Sequence, residues 1–257
     1  MAAELDQSDQ QWQDSAAHRA RILELVKSFA GDGEATLCVW GAGPCNDLDL
    51  EQLVQSWSHI TLVDLDGETL RDAIQVRGLD DSDKVTVIGD YDLSGVAQLV
   101  DEYATTKSPD LLRDIQRTGQ SFEPDQLGQY DVVVSTCLLS QMFQPLVTLL
   151  ERSDPQMMIL LLSALRRRHL ELLVQHTAPG GMALLITDVT SSDALPELAL
   201  PDADPVELLQ SKIVQGNHFH ALNPAAIRQA IAQHLVAPQK ISEFRVSPPW
   251  VWNATHR

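Results

Sequence analysis

An α/β fold is predicted for this 257-residue chain, built on a doubly wound, mostly parallel sheet with helices on both faces. Three features predict it. Apolar runs with the look of buried strands recur five times, helical periodicity separates them, and the first run stops at a Gly-Ala-Gly turn. Such alternation calls for right-handed crossovers, which cover both faces of the sheet and leave its strands apolar throughout. A ligand then sits at the carboxyl ends of the strands, where the strand order switches.

The elements follow in order. Residues 8–30 carry Trp12, Ala16, Ile22, Leu23, Leu25, Val26 and Phe29 among polar residues, the spacing of an amphipathic helix that Gly31 and Gly33 end. ATLCVWGAG, ending at Gly43, reads as a buried strand and a tight turn. LDLEQLVQSW (48–57) is helical, HITLVDLD (59–66) a second strand, 67–78 a helix closed by Gly78, KVTVIGDYD (84–92) a third strand and 95–105 a third helix. The polar stretch 106–129 holds a short helix around 110–117 and a loop. YDVVVSTCLLS (130–140) is the fourth strand. Helices over 141–152 and 155–177 follow, broken at Pro155 and stopped by APGG, and MALLITDV (182–189) is the fifth strand. Residues 205–215 and 224–235 read as helices, the second with Asn223 as N-cap and Pro224 at its first position. The tail KISEFRVSPPWVWNA (240–254) is β-rich but interrupted by Pro248 and Pro249.

Composition excludes several function classes. Asp and Glu number 36 against 18 Lys and Arg, a net charge of −18. Residues 1–150 hold 26 acids and 9 bases, and 151–257 hold 10 and 9, so the first part carries −17 of it. Phosphate binding needs basic patches, so neither nucleic acid nor an anionic membrane is the expected partner. Cys38, Cys45 and Cys137 are odd in number and lack CxxC spacing, which disfavours a disulfide framework or a zinc site and points to a reducing, cytoplasmic setting. The N-terminus lacks a basic, apolar signal sequence, and the longest apolar run, MMILLLSAL (157–165), is too short for the roughly 20 residues of a membrane span. It reads as a buried helix face.

The chemistry-bearing positions lie at the predicted strand ends. In GAGPCND (41–47), Gly41 and Gly43 permit a sharp turn and close backbone approach to a ligand, and the helix N-terminus beyond offers free N–H groups. Dinucleotide sites want a third Gly or Ala where this chain has Asn46. Asp64, ending the second strand, can accept from both hydroxyls of a ribose. Asp90, ending the third, can accept from an adenine amino group while the next backbone N–H meets a ring nitrogen.

In these motifs the chain resembles the class I (Rossmann-like) S-adenosylmethionine-dependent methyltransferases. VWGAGPCNDLDL is similar to that family's first motif, ITLVDLD to its acidic second strand, VTVIGDYD to its third, YDVVVSTCLLSQM to its fourth and GGMALLITD to its fifth. The match covers about residues 36–190. The resemblance implies one domain over 1–257, with a helical cap (1–35), a cofactor-binding core (36–190) and substrate-side helices and terminal strands (191–257). It implies a sheet of about seven strands, the last short or missing here. S-adenosylmethionine is the implied cofactor. Gly41, Ala42 and Gly43 would contact its methionine part, Asp64 the ribose, and Leu65 the adenine face. Asp90 and Tyr91 would read the adenine edge, and Ser135 and Thr136 would lie near the methyl group. Where the family often has an acid, this chain has Val39, so Asp47 or backbone carbonyls would take the methionine ammonium. Cys45 replaces the loop's third glycine.

The implied reaction is methyl transfer to a small-molecule acceptor by in-line displacement, with no metal. The catalytic base is unassigned, with Asp188, His218 and His220 as weak candidates. A non-catalytic protein that binds S-adenosylmethionine or a nucleoside is the alternative, and an NAD-dependent oxidoreductase the third reading. Nothing indicates a homo-oligomer. Cys45 and Cys137 read as packing residues, Arg166, Arg167 and Arg168 as a solvated helix face, and Trp250 and Trp252 as core residues.

Overall fold

A computed structural model describes residues 10–192, 195–200, 202–215, 222, 224–232 and 241–250. The order is α1 (Ala16–Lys27), β1 (Thr36–Trp40), α2 (Leu50–Ser56), β2 (His59–Val63), α3 (Gly67–Val76), β3 (Val85–Ile88), α4 (Ala97–Thr106), α5 (Pro109–Ser121) and β4 (Tyr130–Thr136). Then come α6 (Leu138–Leu150), α7 (Pro155–Gln175), β5 (Thr177–Ile186), a 3-10 turn (Pro196–Ala199), α8 (Pro205–Gln215) and α9 (Pro224–Ala232).

The strands pair in the order β3-β2-β1-β4-β5, and all four ladders are parallel. Among the described residues the sheet has five strands, not about seven. Residues 241–250 join no strand. Pro248 and Pro249 lack the N–H a ladder needs. The order reverses between β1 and β4, which opens a crevice at their carboxyl ends.

Period-two alternation sends neighbouring strand residues to opposite faces. Leu37 and Val39 of β1, with Val132 and Val134 of β4, pack with Ile22, Val26, Leu50, Leu53, Leu70 and Ile74 of α1, α2 and α3. Cys38, Trp40 and Val133 face the other way, toward Leu172 and Leu173 of α7. A second apolar cluster joins α4, α5, α6 and α7 through Tyr103, Ile115, Phe143 and Leu161.

Local chemistry sets the helix starts. Asp49, Asp66 and Asp154 accept from the backbone N–H groups of Gln52, Thr69 and Met157 at 3.1, 2.9 and 3.0 Å, satisfying donors that a first turn leaves open. Pro155 opens α7, as its fixed φ favours. The α5 helix outruns its expected span because Leu112, Ile115 and Gly119 form a buried stripe, with the Leu165 side chain closing over Gly119. The β5 strand begins at Thr177 rather than Met182. Tyr130 faces Thr177 and Val132 faces Met182, so residues 178–181 bulge from the ladder.

The arginine trio departs from the expected solvated face. Arg167 is exposed, but Arg168 is buried. Its Nε donates to the Phe122 carbonyl at 2.6 Å, and its other nitrogens pair with Glu123 at 2.6 Å and Glu171 at 3.3 Å. Partial burial also lowers the pKa of Arg166. The α5–β4 loop folds back over α7 and supplies the acceptors. Cys38, Cys45 and Cys137 are buried and form no disulfide. No helix of the described residues is long and apolar enough to cross a membrane.

Candidate functional site

The glycine loop hangs from β2 by backbone bonds. Gly41 and Ala42 donate to the Val63 carbonyl at 2.9 and 3.3 Å. Gly41 has φ +76°, and a Cβ there would lie 2.8 Å from Leu138 Cβ and 3.0 Å from the Thr136 carbonyl oxygen, so this residue must be glycine. Gly43 has φ +47° and is open on its Cβ side, with Asp64 Oδ2 at 3.9 Å as the nearest atom. The Gly43 amide donates to Asp64 Oδ2 at 2.7 Å, and the Asp66 amide donates to Oδ1 at 2.9 Å. Both oxygens of the β2 carboxylate are thereby aimed, and the group stays partly exposed.

Next to it, Leu65 is 56% exposed, an apolar surface at a polar edge. Asp90 follows β3 with φ +57°. Its Oδ2 lies 3.2 Å from Arg71 Nη2, in a pair more than half exposed on both sides. Tyr91 is directed inward. Its ring is buried, its amide donates to the Asp64 carbonyl at 3.0 Å, and its hydroxyl donates to Asp125 Oδ1 at 3.2 Å. Only Asp90 of that pair presents a side chain to solvent.

Ser135 and Thr136 are buried and engaged. Ser135 Oγ bonds His169 Nε2 at 2.9 Å. Thr136 Oγ1 donates to the Gly41 carbonyl at 3.0 Å, tying β4 to the glycine loop. His169 packs edge-on to Trp40, and complete burial lowers its pKa to about 4, so it is neutral.

Strain concentrates at this edge. Of four non-glycine residues with positive φ among those described, Cys45, Asp90 and Cys137 follow β1, β3 and β4. Clustering of left-handed residues at one sheet edge is typical of a ligand site. Cys45 is fully buried, and desolvation pushes its thiol up to about 12. Behind the loop, Arg19 donates to the Trp12 and Asn46 carbonyls at 2.8 and 2.9 Å. The guanidiniums of Arg19 and Arg77 lie 3.3 and 4.5 Å from the Trp12 ring centroid, so the N-terminal region is clamped to the loop.

A further cluster brings together residues that no sequence motif connects. His18 of α1, Asp47 of the loop and Cys137 at the β4–α6 junction each present one ligand-type atom, all within 4.8 Å of one another. His18 Nε2 is 3.8 Å from Asp47 Oδ2, and Cys137 Sγ is 3.9 Å from Asp188 Oδ1. The Ser140 hydroxyl donates to Asp188 Oδ2 at 3.0 Å, and the Trp250 indole N–H donates to His18 Nδ1 at 2.9 Å. His18, Ile22 and Val26 share one helix stripe at i, i+4 and i+8. That spacing was the signal that His18 turns inward. His218, His220, Asn223 and Trp252 lie outside the described residues.

No family model matches the chain, and no curated protein does. Among solved structures it is similar to that of Streptomyces venezuelae DesVI, with a TM-score of 0.36 and 15% identity over 70% of this chain. It is similar also to the sugar N-methyltransferase KedS8 from Streptoalloteichus sp. ATCC 53650, with a TM-score of 0.36 and 14% identity over 74% of this chain. The match spans about half of each of those proteins, 53% in both cases.

Proposed function

We propose that the chain binds S-adenosylmethionine at the carboxyl edge of its sheet and transfers the methyl group to a small-molecule acceptor. The observation that carries this reading is the aimed Asp64 carboxylate beside the open face of Gly43, at the reversal of strand order. A Cβ at Gly43 would fill that cradle, and the residues around it suit each part of the cofactor. Asp64 takes the ribose hydroxyls, exposed Leu65 packs against adenine, and Asp90 accepts from its amino group. Asp47 or the loop carbonyls accept from the methionine ammonium.

When bound, the sulfonium supplies an electrophilic methyl. The chain's own task is to align an acceptor lone pair and exclude water. Thr136 and Ser135 act by holding β4 and the loop in register, since their hydroxyls are bonded internally. Asp188 lies beside Cys137 and Ser140 just past the β4 end, and so is a candidate to receive an acceptor proton. The acceptor pocket is assigned to the N-terminal cap and to the segments after β3 and β5, which lie outside the nucleotide-binding core.

Isothermal titration tests this directly. S-adenosylmethionine and S-adenosylhomocysteine should bind the wild type, and Asp64→Ala should weaken both by more than about tenfold. Binding of NAD in their place overturns the reading.

A second reading, a nucleoside-binding protein without turnover, is favoured by the internal engagement of Ser135 and Thr136. Methylated product from a panel of small amines, hydroxyls and thiols decides against it.

A further inference from the structure

We infer that His18, Asp47 and Cys137, with Asp188 as the carboxylate beside Cys137, form a binding site for one divalent transition metal of the zinc class, at the carboxyl edge of the sheet between β1 and β4. The four residues come from separate parts of the chain: α1, the glycine loop, the β4–α6 junction and the segment after β5. Their spacing carries the inference. An N–H donor and a carboxylate that simply hydrogen-bond close to about 2.7–3.2 Å. Two ligands of a tetrahedral ion with bonds of about 2.0–2.3 Å stand roughly 3.3–3.8 Å apart. His18 Nε2 and Asp47 Oδ2 are 3.8 Å apart, and Cys137 Sγ and Asp188 Oδ1 are 3.9 Å apart. The first pair is too far apart for a hydrogen bond and close to the edge of a metal tetrahedron, and the second is a thiol–carboxylate hydrogen bond that sets the Asp188 carboxylate beside the thiol.

The donor set selects the ion. One imidazole nitrogen, one thiolate and one carboxylate, with a second carboxylate beside the thiol, suit zinc and its neighbours, whereas magnesium and calcium take oxygen alone. The supporting shell is in place. Ser140 orients the Asp188 carboxylate at 3.0 Å. The left-handed backbone of Cys137, φ +50°, places it at the N-cap of α6, beside the Asp188 carboxylate. His18 and Cys137 are buried, and Asp47 and Asp188 are partly exposed, so the ion enters from the carboxylate side.

Trp250 supplies a built-in reporter. Its indole can only donate, so His18 Nδ1 is an acceptor in the metal-free chain and the neutral ring carries its proton on Nε2. Metal at Nε2 displaces that proton to Nδ1, the Cys137 thiol releases its own to solvent, and the Trp250 bond breaks. Trp250 and metal therefore compete for the state of His18. With Asp47 on the metal, loop carbonyls remain for the methionine ammonium, and Asp188 serves either the metal or an acceptor proton, not both.

The test uses the full chain, stripped with chelator and titrated with zinc alone and with cobalt(II) alone. One ion per chain should bind, and cobalt should give a thiolate-to-metal charge-transfer band. Cys137→Ser should abolish that band. Asp47→Asn and Cys137→Ser should each weaken zinc by more than roughly tenfold, and Trp250→Phe should tighten it. Circular dichroism and the thermal transition check that each variant folds. If Cys137→Ser does not fold, Asp47→Asn and Asp188→Asn carry the test, since both replace partly exposed carboxylates. No stoichiometric zinc uptake by the wild type, or uptake unchanged in the folded variants, overturns the site. Zinc uptake is read without S-adenosylmethionine, so failure of one proposal leaves the other standing.

Discussion

The backbone amide of Gly43 donates to Asp64 Oδ2 at 2.7 Å, so the loop after β1 and the acid at the end of β2 form one unit. The bond spans two parallel neighbours whose register runs from Thr36 opposite His59 to Trp40 opposite Val63. A carboxylate that would otherwise swing in solvent is held at the crevice before any ligand arrives. Binding then costs less ordering entropy.

Asp64→Ala removes two backbone bonds to a charged acceptor. Hydrogen bonds to charged groups contribute about 1.5–3 kcal/mol, and this group is partly exposed, so an overall loss of about 1–3 kcal/mol is expected. Urea unfolding measures that loss, and titration calorimetry measures the accompanying loss of cofactor affinity. A variant as stable as wild type would show that the Gly43–Asp64 link is slack in solution.

Gly41→Ala and Gly43→Ala should part company. At Gly41 the new methyl meets Leu138 and the Thr136 carbonyl while φ stays positive, so stability should fall by about 2–4 kcal/mol. At Gly43 the methyl meets open space, and the cost is the left-handed backbone alone, about 1–2 kcal/mol. Its main effect should be on S-adenosylmethionine affinity. Denaturation midpoints and titrations on both variants check the contrast, and equal losses of stability would contradict it.

His169 gives stability a pH dependence of known sign. Its folded pKa, about 4, lies below the ordinary 6.5, so between these values the unfolded chain binds the extra proton. Its contribution is complete above pH 6.5 and is lost as pH falls toward 4. About 2.5 pH units correspond to on the order of 3 kcal/mol. His169→Gln should flatten unfolding free energy over that window. An unchanged slope in the variant would assign the dependence to other groups.

Native Cys38 and Cys45 should resist alkylation. Burial raises both thiols to about 12, leaving almost no thiolate at pH 8. N-ethylmaleimide labelling followed by mass spectrometry should find them modified only after denaturant is added. Rapid modification of either in the native protein would show that the loop or β1 opens on that timescale.

Much of the core was legible because its signals are local. The five apolar runs and the Gly-Ala-Gly turn depend on residues a few positions apart, and each formed close to its expected place. The two further strands came from the family resemblance, and the described residues form none beyond the five. Arg168 was misread because its signal is not local. Its acceptors, the Phe122 carbonyl and Glu123, lie more than 40 residues back, and three consecutive arginines look solvated until a loop folds over them.

The sequence by itself determined the strand-helix alternation, the glycine loop and the acids at the ends of β2 and β3. Tertiary structure alone decided the strand order β3-β2-β1-β4-β5, the burial of Ser135 against His169, and the meeting of His18, Asp47, Cys137 and Asp188. The physical reason is range. Periodicity and capping act over one or two turns of chain, whereas crossover connections bring residues 18, 47, 137 and 188 to one edge of the sheet only after every strand has found its neighbour.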